Sequence, residues 1–114
     1  MSTDAAITHD EAAHRFELNV DGRTRTFLLH KPAAYDGSTP WPLVLAFHGA
    51  TSNARLMQLF SGLSDKADQA GFLVVYPSGT GNLPNVLTWN GGNCCGYATK
   101  NDVDDVGFIR TLLD

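Results

Sequence analysis

Three observations predict an α/β fold, with an antiparallel hairpin followed by parallel strands and flanking helices. Residues 41–47 and 72–76 are almost unbroken apolar runs, the pattern of strands covered on both faces in a parallel sheet. A helical pattern lies between them, so strand, helix and strand form a right-handed βαβ unit. Upstream, Phe16, Leu18 and Val20 alternate with polar residues and run into Asp21-Gly22, the favoured dipeptide of a tight hairpin.

Composition narrows the class further. The chain has 114 residues, 43% hydrophobic and 18% charged, enough for one small domain with a real core. Its net charge is −4 and its eight Lys and Arg are scattered singly, which argues against nucleic acid or an anionic membrane as partner. The start of the chain is polar and Ala-rich. It lacks the basic-then-apolar layout of a leader, and no apolar run approaches a membrane span. Cytoplasmic residence is therefore expected, with residues 1–14 as a disordered tail and 15–114 as a single domain.

Taken in order, residues 16–20 form a half-buried strand. Residues 24–31 return as a second strand, with Phe27 and Leu29 on one face and Leu28 and His30 on the other, closed by Pro32. His30 reads as ordinary surface or core rather than as catalytic. A loop marked by Asp36-Gly37 and Pro40 leads to the central run Trp41-Pro42-Leu43-Val44-Leu45-Ala46-Phe47, which ends at His48-Gly49-Ala50-Thr51. Gly49 allows a sharp turn. The amides of Ala50 and Thr51 then fall at the start of a helix, where free N–H groups favour anions.

Ser52 or Asn53 is the expected N-cap of that helix, and Leu56, Phe60 and Leu63 recur at helical spacing. Ser61-Gly62 should split the segment in two, and Gly71 should end the second helix. The strand 72–76 follows, ended by Pro77. Residues 77–101 read as an irregular Gly-, Asn- and Pro-rich loop at the C-terminal end of a parallel strand, where α/β folds bind ligands. Gly79-Thr80-Gly81 lacks the third glycine, the Gly-Lys-Ser/Thr and the following helix of a nucleotide site. Trp89 and Tyr97 line a pocket or cover the sheet edge, and the sequence does not choose. Asp104 and Asp105 suit the first turn of a helix with Val106, Ile109 and Leu112-Leu113 inward; capping is the preferred reading over a tie to a neighbouring loop. Cys94 and Cys95 are adjacent, so they do not easily form an unstrained disulfide with each other, and they match no zinc spacing. They read as buried side chains or free thiols, or one pairs with a cysteine outside the chain.

The ordered set Leu45-Ala46-Phe47-His48-Gly49, Gly71-Phe72-Leu73-Val74-Val75-Tyr76-Pro77, Trp89-Asn90, Cys94-Cys95-Gly96 and Val103-Asp104-Asp105-Val106-Gly107-Phe108-Ile109 resembles one group of proteins. It is similar to the polyhydroxybutyrate depolymerase-like and feruloyl esterase-like serine esterases of the α/β-hydrolase superfamily, over residues 24–114. The resemblance implies a partial α/β-hydrolase sheet, truncated before the nucleophile strand. It also implies a Ser-His-Asp triad in the whole enzyme, no metal or cofactor, and an ester substrate, either a polyester or a plant cell-wall acyl ester. Many members of the group are extracellular. The Ala50 amide, with Thr51 beside it, would be a backbone donor of the oxyanion hole; His48 and Trp89 would border the substrate.

The departure from the group is as informative. No Gly-x-Ser-x-Gly occurs in the chain, and Ser52, Ser61, Ser64 and Ser78 lack the flanking glycines of a nucleophile elbow. Asp104, Asp105 and His48 match a helix start and the oxyanion turn, not the catalytic acid and base. The expected function is thus the N-terminal part of a serine ester hydrolase, inactive by itself. A non-catalytic α/β binding domain using the 77–101 loop is the competing reading. An unprotected strand edge at 43–47 further predicts self-association.

Overall fold

The computed structural model describes residues 7–9, 14–92 and 96–114. Alternating side chains and a turn with both central residues at positive φ (Asp21 52°, Gly22 74°) build the hairpin of β2 (His14–Val20) and β3 (Arg23–His30), as its twist requires. Phe16 and Phe27 stack across it, with ring centroids 5.1 Å apart. The tail expected over residues 1–14 is ordered in part: β1 (Ile7–His9) pairs antiparallel with β2, and His14 already belongs to β2. The rest of that expected tail lies outside the described residues.

The central run is regular only as β4 (Leu43–Leu45), because the chain leaves the ladder after Ala46 donates to the Val75 carbonyl at 2.8 Å. Asn53 caps α1 (Ala54–Ser61), accepting from the Leu56 N–H at 3.0 Å. Gly62, at φ 69°, separates α1 from α2 (Leu63–Ala70). Then β5 (Leu73–Pro77) runs parallel to β4 and antiparallel to β3, giving the sheet order β1-β2-β3-β5-β4. Pro77 does not stop this strand short; it is its last residue, opposite Phe27. The result is a small α/β protein with a mixed sheet.

Each face of the sheet has its own core. On one side Leu28, Ala46, Val74 and Tyr76 meet Ala54 and Ala67 of α1 and α2. On the other, Phe16, Phe27, Leu29 and Val75 meet Phe108 and Leu112 of α4 (Asp105–Leu113). Helical spacing found Leu112 and Ile109 on the inner side of α4 but placed Val106 there too, and it did not find the buried face of α1. In α1 the buried residues are Ala54 and Gln58, while Leu56, Leu59 and Phe60 are exposed, Phe60 at 82%. In α4, Phe108 and Leu112 are buried, whereas Val106 is 70% exposed. The small Ala54 allows α1 to sit close to the sheet, which turns its bulkier residues outward.

The stretch 77–101 is not an irregular loop. It holds the hairpin of β6 (Thr80–Leu83) and β7 (Val86–Thr88), then α3 (Tyr97–Lys100). Gly79 and Gly81 serve this hairpin, because a Cβ on either would collide with the carbonyl of Thr88 or Val86. Cys94 and Cys95 lie outside the described residues. Among the described residues, no helix is long and apolar enough to cross a membrane.

Candidate functional site

The parallel strands β4 and β5 end at the same edge of the sheet, and the segment leaving β4 passes beside the one leaving β5. His48 joins them. It is 3% exposed; its Nε2 accepts from the Gly79 N–H at 3.0 Å, and its Nδ1 donates to the Gly49 carbonyl at 2.7 Å. An Nε2 that accepts from an amide fixes the neutral Nδ1–H tautomer. Trp89 closes the arrangement: its indole N–H donates to the His48 carbonyl at 2.9 Å, and the two rings lie 4.9 Å apart. His48 thus clamps two turns together, with neither ring nitrogen left to meet a substrate.

Burial lowers the His48 pKa, and this outweighs the opposing effects of the Gly49 hydrogen bond and the Asp105 charge. The sign of the consequence follows. The unfolded chain takes up a proton as pH falls below the ordinary imidazole value of about 6.5, while the folded ring stays neutral. Stability therefore declines from that pH down to the lowered folded value, where the loss is complete. Chemical denaturation between about pH 7 and pH 5 should show this decline, and His48→Gln should remove much of the slope. An unchanged slope in that variant would assign the effect to other groups.

Beyond the clamp, Ala50 and Thr51 lie exposed on a turn, Thr51 at φ 60°. A β-branched residue in the left-handed region is strained, and such strain persists only where neighbours hold it. Here Ser52 donates to the Gly49 carbonyl at 3.3 Å and accepts from the Leu87 N–H at 2.8 Å, bridging to β7. The Asn53 side-chain amide reaches the Asn85 carbonyl at 3.1 Å. The β6–β7 hairpin is therefore the brace of this turn. Among the described residues, neither the Ala50 nor the Thr51 N–H donates a hydrogen bond.

A second anchor holds the other side of the site. Asp105 receives Arg25 Nη2 on Oδ1 at 2.6 Å and the Asn90 N–H on Oδ2 at 2.6 Å. The Arg25 side chain is 2% exposed and that of Asp105 12%, with the guanidinium 4.2 Å from the Phe108 ring centroid. Asp104 does the capping, accepting from the Gly107 N–H at 2.9 Å. The two adjacent acids have separate jobs: one caps the helix, the other ties helix, strand and loop. Burial acts to lower the Arg25 pKa, opposed by the bond and charge of Asp105.

Between the end of β4 and α4 lies an open groove of ≈ 540 Å³, with Phe47, Trp89, Val106, Ile109 and Leu113 as its apolar lining. Phe47 and Trp89 meet edge to face, with centroids 5.3 Å apart. Of the two roles considered for Trp89 it takes the pocket-lining one, and it also covers His48. Tyr97 instead accepts from Arg23 Nη1 at 3.0 Å and holds α3 to β3. His30 pairs with Asp68 at 2.8 Å, and Ser64 with the Tyr76 hydroxyl at 2.7 Å. Among the described residues, neither His48 nor His30 hydrogen-bonds a serine.

Sequence reading missed the Arg25–Asp105 tie, although a signal for it was present. Arg25 shares a strand face with Phe27 and Leu29, and a charge in a buried apolar alternation calls for a partner. The His48 clamp had no such signal, because it depends on where the β5 exit lies. In comparisons with known proteins, no family model matches the chain and no curated protein matches it.

Proposed function

We propose that this chain is the N-terminal part of a serine ester hydrolase of the α/β-hydrolase kind, supplying the oxyanion-hole turn. The observation that carries this reading is the braced turn itself. Ala50 and Thr51, both exposed, have amides without a partner among the described residues, between the end of a parallel strand and a capped helix. A tetrahedral intermediate of acyl transfer gathers negative charge on the former carbonyl oxygen. An N–H held rigidly toward that charge lowers the barrier, and one such donor is worth about 3 kcal/mol. The sheet order supports the reading as well, because β4 is terminal and leaves one side for a nucleophile-bearing strand. The whole enzyme would act on a polyester or a plant cell-wall acyl ester.

The chain brings no Gly-x-Ser-x-Gly, and His30 and His48 are engaged elsewhere. Purified protein should therefore hydrolyse short-chain p-nitrophenyl esters no faster than background. Turnover abolished by Ser52→Ala or Ser64→Ala would overturn this assignment. The competing binding-domain reading draws less support. That reading uses the 77–101 loop as its contact surface, and Asn85 and Leu87 of that segment brace the turn.

A further inference from the structure

The two ring hydrogen bonds of His48 suit only an uncharged imidazole. The neutral ring has one donor and one acceptor, and both are used: Nδ1–H donates to the Gly49 carbonyl, and Nε2 accepts from the Gly79 N–H at 3.0 Å. An imidazolium has two donors. Its Nε2–H would face the Gly79 N–H, donor against donor, so the proton and this bond exclude each other.

The two ends of that bond are not equally free to part. The Ser78 N–H donates to the Thr26 carbonyl at 3.0 Å, and the Ser78 carbonyl accepts from Arg25 Nη2 at 3.3 Å. Gly79 itself sits so close to the Thr88 carbonyl that a Cβ would not fit. That end is fixed. At the other end, the Gly49 carbonyl accepts from both His48 Nδ1 and the Ser52 N–H. Nδ1–H stays a donor when the ring is charged, so ring and turn move as one piece. Thr51, at φ 60°, carries strain that the movement releases. Beyond the turn, Ser52 keeps Leu87 and Asn53 keeps Asn85, while the His48 carbonyl keeps the Trp89 N–H. The opening is therefore local.

We infer that His48 is a pH-sensitive latch: proton uptake at Nε2 releases the Gly79 N–H and frees the Gly49–Thr51 turn from the end of β5. The charges around the ring set its range. Asp105 of α4 favours the proton, but burial outweighs it, and Arg25 of β3 is bound to that carboxylate. Residues 49–53, 78–79 and 89 bring no ionisable group. The latch is thus shut at neutral pH and opens below the ordinary imidazole value of about 6.5. It goes beyond the ester-hydrolase reading and stands on hydrogen bonds within this chain.

Nitrogen-15 NMR of the 114-residue chain, from about pH 8 down to about pH 4, tests it without any ester. At neutral pH the His48 ring should be the Nδ1–H tautomer, with a scalar coupling from the Gly79 nitrogen to Nε2. Both should be lost with one midpoint below about 6.5. With that midpoint, amide order parameters of Gly49, Ala50 and Thr51 should fall from about 0.85 to below about 0.6, while Val74 and Val75 stay rigid. His48→Gln offers a neutral donor and acceptor at every pH, so its turn should stay ordered throughout. His30→Gln, whose ring pairs with Asp68, should leave the transition in place. The wild-type titration decides even where His48→Gln fails to fold. A turn that stays rigid while the ring takes its proton, cooperative unfolding before the ring titrates, or the same loosening in a folded His48→Gln would overturn the inference.

Discussion

Asp105→Ala is expected to lower stability by about 3–5 kcal/mol, the range for removing one partner of a buried ion pair. The reason is less the lost attraction than what stays behind. The Arg25 guanidinium, 2% exposed, would keep its charge without the carboxylate it is hydrogen-bonded to. The Asn90 N–H would lose its acceptor as well. A small domain has about 5–15 kcal/mol in total, so the variant should be close to unfolding. Asp105→Asn keeps one acceptor for the Asn90 N–H but removes the charge and the second acceptor that Arg25 uses, so its difference from alanine reads the Asn90 bond alone. Urea denaturation at neutral pH gives both values. A loss below about 1 kcal/mol for alanine would mean that the pair behaves as an exposed one.

Phe108→Ala should cost a similar amount, about 3–5 kcal/mol for an aromatic ring deleted from a closed core. α4 enters that core through only two fully buried residues, Phe108 and Leu112. Phe108 also gives Arg25 an aromatic face at 4.2 Å, so its removal weakens the setting of the ion pair. The damage should be local before it is global. Amides of α4 should exchange fastest, while those of β3 and β5, covered from the α1–α2 side too, stay protected longer. Uniform loss of protection would show that α4 and the sheet unfold as one unit.

The parts of this fold that were legible in the sequence are those governed by local rules. Asp21-Gly22 specified a hairpin turn, Asn53 a cap, Gly62 and Gly71 two helix ends, and the 72–76 run a strand buried on both faces. Leu112 and Ile109 of α4 were legible from periodicity, but the inward face of α1 was not. Leu56 and Phe60 satisfy a helical repeat as well as Ala54 and Gln58 do; which set turns inward depends on how closely the helix sits on the sheet. The 77–101 segment was misread because Gly79 and Gly81 look like loop residues. Their purpose is close approach to the Thr88 and Val86 carbonyls, which exists only once β6 and β7 have paired. Of the site, the sequence placed the free amides of Ala50 and Thr51 at the start of a helix; they lie on a turn instead, and α1 begins only at Ala54. The sequence also suggested His48 as a substrate neighbour, and the ring is a buried clamp instead. A histidine after an apolar strand is compatible with either role until its hydrogen-bond partners are known.

The central claim is that the Ala50–Thr51 turn is half of an oxyanion hole whose serine lies elsewhere in the coding frame. Labelling with a fluorophosphonate probe, which marks activated serines, tests it most directly, on this chain and on the product of the same frame read past the Asp114 codon. The account predicts no label on the 114-residue chain. It predicts label on the longer product, at a serine in Gly-x-Ser-x-Gly. In that product Ala50→Pro, which removes the amide donor, should lower kcat for ester hydrolysis by about 10²-fold with a smaller change in KM. Label on Ser52 or Ser64 of the chain itself, a continuing frame without that serine, or a folded Ala50→Pro enzyme of normal kcat would contradict it.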